Sequence, residues 1–313
     1  MPLVNAKCTN CGANLEVDNT KDAAICPYCG SAYIVEKAIN NYNITNNTTN
    51  NINAEVVNVY GGNSGDFVIR GGVLEKYNGA STEVIIPNSV SIIGEGAFKD
   101  CRGITKVSIP DSVTTIEENA FWGCAELSSL YLPDSVTTIG EWAFSLCEKL
   151  SSLKLPESIQ KLDRHAFYNT GVSHIVIPGT LQTIEEGLFE KCVNLKEILI
   201  QNGVKRIERR AFNGTSLSSL VIPESVEEIT GDALAECSML EELTIMGNPR
   251  LNGSLNCEQL KIIHAPDEWI RKNTSSVKLL SNRCSRGVCR YCGGEFKGRF
   301  KKVCSVCNRP QKY

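Results

Sequence analysis

The chain has 313 residues, 42% of them apolar, which allows two ordinary domains and enough apolar side chain for a core. A formal charge of −3 excludes a strongly basic nucleic-acid protein taken as a whole. No apolar run reaches the roughly eighteen residues that a membrane-crossing helix needs, so no membrane partner is expected. The first residues, MPLVNAKCTNC, lack a charged start followed by an apolar stretch and do not read as a secretory signal. The expected location is the cytoplasm.

Fifteen cysteines are present, and eight form Cys-x-x-Cys pairs towards the two ends. Cys8 and Cys11 pair with Cys26 and Cys29 in the first module; Cys289 and Cys292 pair with Cys304 and Cys307 in the second. Each pair runs into Gly or Asn, as in CTNCG, CPYCG, CRYCGG and CSVCN. That residue supplies a tight knuckle that points two sulfurs at one ion. Two knuckles on short hairpins predict a closed tetrahedral zinc site, with iron as the competing metal. Such a site is structural, replacing the core that a unit of about 30 residues cannot build. A redox Cys-x-x-Cys needs a strand–helix context that neither end offers, and disulfides need an oxidising compartment. The expectation is a zinc ribbon over 1–38 and another over 289–313, hence two structural zinc ions per chain.

Residues 39–65 read INNYNITNNTTNNINAEVVNVYGGNSG. Asn/Thr-rich sequence of this kind fits a linker. Its period-2 alternation through Tyr42, Ile44, Ile52 and Val56 also fits a strand. An isolated strand has both edges open, so the second reading implies a homo-oligomer paired through residues 40–60. Both readings stand at this point.

A repeat then dominates. Successive units align on Pro87, Pro110, Pro133, Pro156, Pro178, Gln201, Pro223, Met246 and Pro266. After each alignment point come an aliphatic residue (Ile93, Ile116, Ile139, Leu162), an Ala-Phe pair (Ala97-Phe98, Ala120-Phe121, Ala143-Phe144) and a Cys/Thr slot. The unit closes on L-x-x-L-x-I/L-P, as in Leu127, Leu130, Leu132 and Pro133. A fixed period of about 23 residues with leucine spacing is the mark of a solenoid. Each unit predicts a short strand ending at the proline, a turn, and a compact segment carrying Ala-Phe. No unit buries its apolar face alone, but stacked units share one core, with strands about 4.8 Å apart. Cys101, Cys124, Cys147, Cys192, Cys237 and Cys257 share the slot that Thr170 and Thr215 fill elsewhere, so they read as small buried fillers. Cys284 has no assigned role.

The unit P-x-S-V-x-x-I-x-x-x-A-F-x-x-C-x-x-L-x-x-L-x-I-P resembles the BspA-like (Treponema-type) leucine-rich repeat family over about residues 66–266. The resemblance implies a curved right-handed solenoid with strands lining a concave binding surface. The stretch DFVIRGGVLEKYNGASTEVIIP resembles the capping hairpin that precedes such arrays. The fold class expected is therefore a right-handed, β-rich repeat solenoid with a small zinc-ribbon module at each end. The solenoid should occupy 66–272, with a basic linker over 273–288. Many members of the family are secreted surface proteins, so an exported surface binder is one alternative.

In a strand ending at proline, the second and fourth residues before it face outward. This places Tyr131, Lys154, His174, Val176, Leu199 and Val221 on the concave face. Val176, Leu199 and Val221, with Tyr131, make an apolar patch suited to a protein partner; β-branched residues are also simply favoured in strands. From Arg283 onward nine basic residues face one acid, Glu295. Lys297, Arg299, Lys301 and Lys302, with Tyr291, Phe296 and Phe300 nearby, support a second reading in which the last ribbon grips nucleic acid. No motif joins His165, His174 or His264 to a nucleophile or metal set, and no hydrolase, zinc-protease or P-loop signature occurs. The expectation is a non-enzymatic scaffold or adaptor.

Overall fold

The computed structural model describes residues 66–255, 257–277, 279–280 and 295, together with the backbone of six short strands nearer the ends. The chain divides into two compact units, Met1–Val57 and Asn58–Tyr313.

In the first unit, Leu3–Lys7 pairs antiparallel with Asn14–Asp18, and Ala23–Ile25 pairs antiparallel with Ala32–Ile34. Towards the end of the second unit, Phe296–Lys297 pairs antiparallel with Val303–Cys304. The segment 39–65 expected as a linker or oligomerisation strand lies outside the described residues, as does Cys284.

The second unit is a β-solenoid whose turns repeat every 22 or 23 residues through most of the array. Each turn contributes to two parallel strand rows. The first row holds Glu83–Ile85, Lys106–Ser108, Ser129–Tyr131, His174–Ile177, Glu197–Ile200, Ser219–Ile222, Glu242–Ile245 and Ile262–His264. Between the third and fourth of these, Ser152 joins His174 through an isolated bridge. The second row is shorter, two or three residues a strand, running from Ile92–Ile93 to Arg250–Asn252. Register is strict: Thr115 lies beside Ile92 and Thr138, and Ile116 beside Ile93 and Ile139. The proline carbonyl at each row end closes a tight turn, accepting from Val90, Val113, Val136, Ile159, Leu181 and Val226. Proline itself needs no donor there, which is why it recurs at a strand end.

The third side of each turn is the compact segment around Ala-Phe, held to the next turn by its own backbone ladder. The N–H groups of Phe98, Phe121, Phe144 and Phe167 donate to Ala120, Ala143, Ala166 and Leu188. Two positions bracketing Ala-Phe adopt positive φ in turn after turn. One is Gly96, Asn119, Trp142, His165, Gly187 and Arg210; the other is Asp100, Gly123, Leu146, Asn169, Lys191, Gly214 and Glu236. This left-handed pair turns the chain tightly enough to aim each phenylalanine inward.

Inside, Phe98, Phe121, Phe144, Phe167, Phe189 and Phe212 form one stack, with neighbouring rings 4.8 to 6.1 Å apart and within 7° of parallel. Cys124, Cys147, Cys192, Cys237 and Cys257 are buried, as are Thr170 and Thr215 in the same slot. Each of these five thiols donates to a carbonyl of the preceding turn, for example Cys192 Sγ to Phe167 O at 3.0 Å. Cys101, in the first turn, is half-buried.

Both ends of the stack are closed. Phe67–Arg70 and Val73–Tyr77 form the expected capping hairpin, and its Gly71-Gly72 turn has φ of 56° and 80°. Positive φ at both central residues matches the right-handed strand twist. At the other end a helix, Asp267–Asn273, buries Trp269 and Ile270. The packed core continues through Val277 and Leu280, so the first part of the segment expected as a linker from 273 belongs to the solenoid. Apolar Val277, Leu279 and Leu280 have the last turn to cover, and covering it removes them from water.

Candidate binding face

Alternation along the first strand row decides which side chains meet solvent. In His174–Ile177, Ile175 and Ile177 are buried while His174 and Val176 are exposed. Leu153 and Leu155 are buried on either side of exposed Lys154. All six residues expected on this face, Tyr131, Lys154, His174, Val176, Leu199 and Val221, are exposed.

The apolar ones are exposed far more than a packed strand requires: Tyr131 63%, Leu199 58%, Val176 44% and Val221 43%. Val176 lies directly beside Leu199 in the parallel register. The strand carrying Val221 belongs to a separate ladder, so Leu199 and Val221 flank a break in the row. The row divides into three ladders, 83–131, 174–200 and 219–264. Two further apolar residues, Ile85 and Ile262, are exposed near the ends of this row. The same alternation rule would have placed both.

Polar groups on the face come in cross-strand pairs. His174 Nε2 stands 3.5 Å from Glu197, and its Nδ1 is 2.8 Å from Ser173 Oγ. His264 Nε2 stands 3.2 Å from Glu242, and Lys106 reaches Glu83 at 3.9 Å. These pairs are exposed and contribute little to stability, but they fix the polar rim of the apolar patch.

Of the predicted metal ligands, Cys8, Cys11, Cys26, Cys29, Cys289, Cys292 and Cys307 lie outside the described residues; Cys304 is described only as the last residue of its strand. In chain order, Cys8 and Cys11 fall between the paired strands Leu3–Lys7 and Asn14–Asp18, and Cys26 and Cys29 between Ala23–Ile25 and Ala32–Ile34. Lys297 is placed on Phe296–Lys297, while Arg299, Lys301 and Lys302 lie outside the described residues.

The model of the BspA type leucine rich repeat region matches residues 76–192 and 161–276, well over half of the chain. The chain belongs to this family. Among solved structures, it is similar to a leucine rich cell surface protein from Faecalibacterium prausnitzii, with 22% identity and a TM-score of 0.52 over 67% of this chain and 75% of that one. A leucine-rich repeat protein from Bacteroides ovatus matches at 28% identity and a TM-score of 0.47, covering 58% of this chain and 54% of that one. The leucine rich repeat protein of T. pallidum matches at 20% identity and 0.43, covering 57% and 90%. The first of these likenesses supports the fold alone. No curated protein matches the chain.

Proposed function

We propose that this chain is a non-enzymatic scaffold that binds a protein partner through the exposed strand row, with its end modules folded around zinc. The observation that carries the reading is the row of exposed Val176, Leu199 and Val221 in successive turns, the first two side by side in register, with Tyr131 beyond Lys154. Strand propensity accounts for the β-branched residues and for Tyr131 there but not for Leu199, whose exposed apolar surface gains nothing from the fold. An apolar centre with the pairs at Glu197 and Glu242 around it has the anatomy of a protein interface.

For the N-terminal module, the support is that each Cys-x-x-Cys pair falls between two antiparallel-paired strands; for the C-terminal module it is the same spacing in the sequence. Cys8, Cys11, Cys26 and Cys29 would hold one zinc ion, and Cys289, Cys292, Cys304 and Cys307 the other. A metal held by four thiolates has no open position, so it supplies folding energy and no reaction step. Reduced thiols of this kind fit a cytoplasmic protein; the surface location named for the Faecalibacterium protein is the alternative.

The test is recovery of a partner by the full-length chain against the triple variant Val176→Ser, Leu199→Ser, Val221→Ser. All three positions are exposed, so the variant should fold. A defined protein held by wild type at 0.5 M salt (about that concentration suffices to screen surface charge) and lost by the variant supports the reading. Equal recovery by both would sink it. Retention that disappears with salt and with nuclease treatment would instead assign the contact to nucleic acid and the basic C-terminal segment.

A further inference from the structure

Repeat slots expose what the fold requires, so departures from a slot are informative. The first left-handed position holds Gly96, Asn119, Gly187 and Arg210 in other turns, but Trp142 and His165 in two adjacent ones. A bulky side chain there has φ near +55°, a conformation that favours Gly or Asn. Three residues further along, the slot holds Lys99, Ser145, Glu190 and Asn213 elsewhere, but Trp122 and Tyr168 in two turns. Trp122, Trp142, His165 and Tyr168 are all half-exposed, so none is needed to fill the core. Four aromatic departures thus gather in three successive turns, on a side of the solenoid that the strand row does not form.

They also touch. Trp142 meets His165 edge-on with ring centres 4.1 Å apart and Tyr168 at 5.4 Å; His165 and Tyr168 are 6.0 Å apart. Lys191 closes one side at 5.5 Å from the Tyr168 ring. Gly187 is required beside the cluster, because a Cβ there would run into the His165 ring. In the slot between Trp122 and Tyr168 stands Ser145, fully buried, whose hydroxyl has no hydrogen-bond partner among the described residues.

We propose that the Trp142–His165–Tyr168 cluster is a binding site for a neutral carbohydrate. The indole and phenol offer apolar faces to the C–H face of a sugar ring while their edges stay polar. The rim carries both hydrogen-bonding senses. Glu141 accepts from Trp142 Nε1 at 3.0 Å and has further acceptor capacity. His165 Nδ1 lies 3.1 Å from the Glu186 carbonyl; against a carbonyl it must donate, which leaves Nε2 a bare acceptor for a sugar hydroxyl. Burial holds His165 below its ordinary value, with Glu141 and Glu186 pulling up against Arg164 and Arg210, so the ring is uncharged at neutral pH. Glu141, Glu186 and Glu190 stand against Arg164, Arg210 and Lys191 around the cluster, three acids to three bases, which disfavours a ligand of either charge. Trp122 to Lys191 spans three turn spacings, about 14 Å, room for a short oligosaccharide.

The site is independent of the strand row and is tested apart from it. The full-length chain is run through gels containing barley β-glucan, mannan, starch or xylan. Wild type should be retarded by at least one of these. Trp142→Gly, which suits its φ and should keep or raise the melting temperature, should weaken that retardation at least tenfold, as should Tyr168→Ser. The variant Val176→Ser, Leu199→Ser should be retarded like wild type. Migration of wild type unaffected by all four polymers overturns the proposal, as does equal retardation of Trp142→Gly. Loss of retardation in the strand-row variant also overturns it by moving the site, and retention by heparin alone overturns the neutral class.

Discussion

At the scale of single residues, the cysteine ladder shows how burial controls chemistry. Burial pushes the Cys124 and Cys257 thiols up to about 12 and Cys192 to about 11, and raises Cys147 well above the ordinary 9.0. Above pH 9 the unfolded chain loses these protons while the native chain keeps them. The native state then binds more protons, so stability falls as pH rises, through a window from 9 to the folded values. Each thiol should contribute a slope of roughly 1.4 kcal/mol per pH unit there, read from urea unfolding at pH 8, 9 and 10. A flat profile would contradict burial of these groups. Cys147→Asp should cost at least about 3 kcal/mol by placing an unpaired charge in the core, whereas Cys147→Ser should cost about 1. The left-handed positions act in the opposite direction. Glu236 is exposed at φ 57°, so Glu236→Gly should raise stability by about 1 kcal/mol, visible as a higher melting temperature. A lower one would mean that Glu236 makes a compensating contact.

At the scale of elements, the phenylalanine stack couples one turn to the next. Phe144 is sandwiched by Phe121 at 5.1 Å and Phe167 at 5.6 Å. Phe144→Ala should therefore cost about 3–5 kcal/mol, and Phe144→Leu clearly less, since Leu234 already fills the phenylalanine slot of a later turn in the buried core. Equal losses for the two variants would show that ring stacking, not volume, holds the turns. Phe144, Cys147 and Pro133 were legible in the sequence because identical side chains recur at one spacing and have one job. The two left-handed positions were not, although Gly96, Gly123, Gly187 and Gly214 mark them. Their conformation is imposed by the backbone ladder between turns, so Leu146 or Lys191 is held there at a cost that glycine would avoid, and the pattern is hidden. The strand face was legible for a related reason: period-2 alternation fixes Val176 and Leu199 outward once Ile175 and Ile177 are inward. The aromatic cluster lies in a segment with no such alternation; its slot departures are in the sequence, but the ring contacts of Trp142, His165 and Tyr168 show that they form one cluster.

At the scale of the whole molecule, stability should follow the order of the turns. Each turn touches its neighbours, so the array unravels from whichever end loses its cover. Trp269 is buried against the last turns and donates to the Pro249 carbonyl at 2.9 Å. Trp269→Ala should speed hydrogen exchange in Glu242–Ile245 and Ile262–His264 while leaving Lys106–Ser108 unchanged. Uniform acceleration would show one cooperative block. Metal removal probes the other division of the chain. The solenoid core is Leu, Ile, Val, Phe and protonated thiols that donate to carbonyls, as Cys124 does to Phe98, so no part of this packing calls for an ion. The end modules, with too few residues for a core, would depend on theirs. Native mass spectrometry should find two zinc ions per chain, and chelation should remove both while the solenoid keeps its β-sheet circular dichroism and its thermal transition. A native chain without metal would overturn the ribbons, and collapse of the solenoid on chelation would mean that the last turns are held by the C-terminal module and not by Trp269 and Leu280.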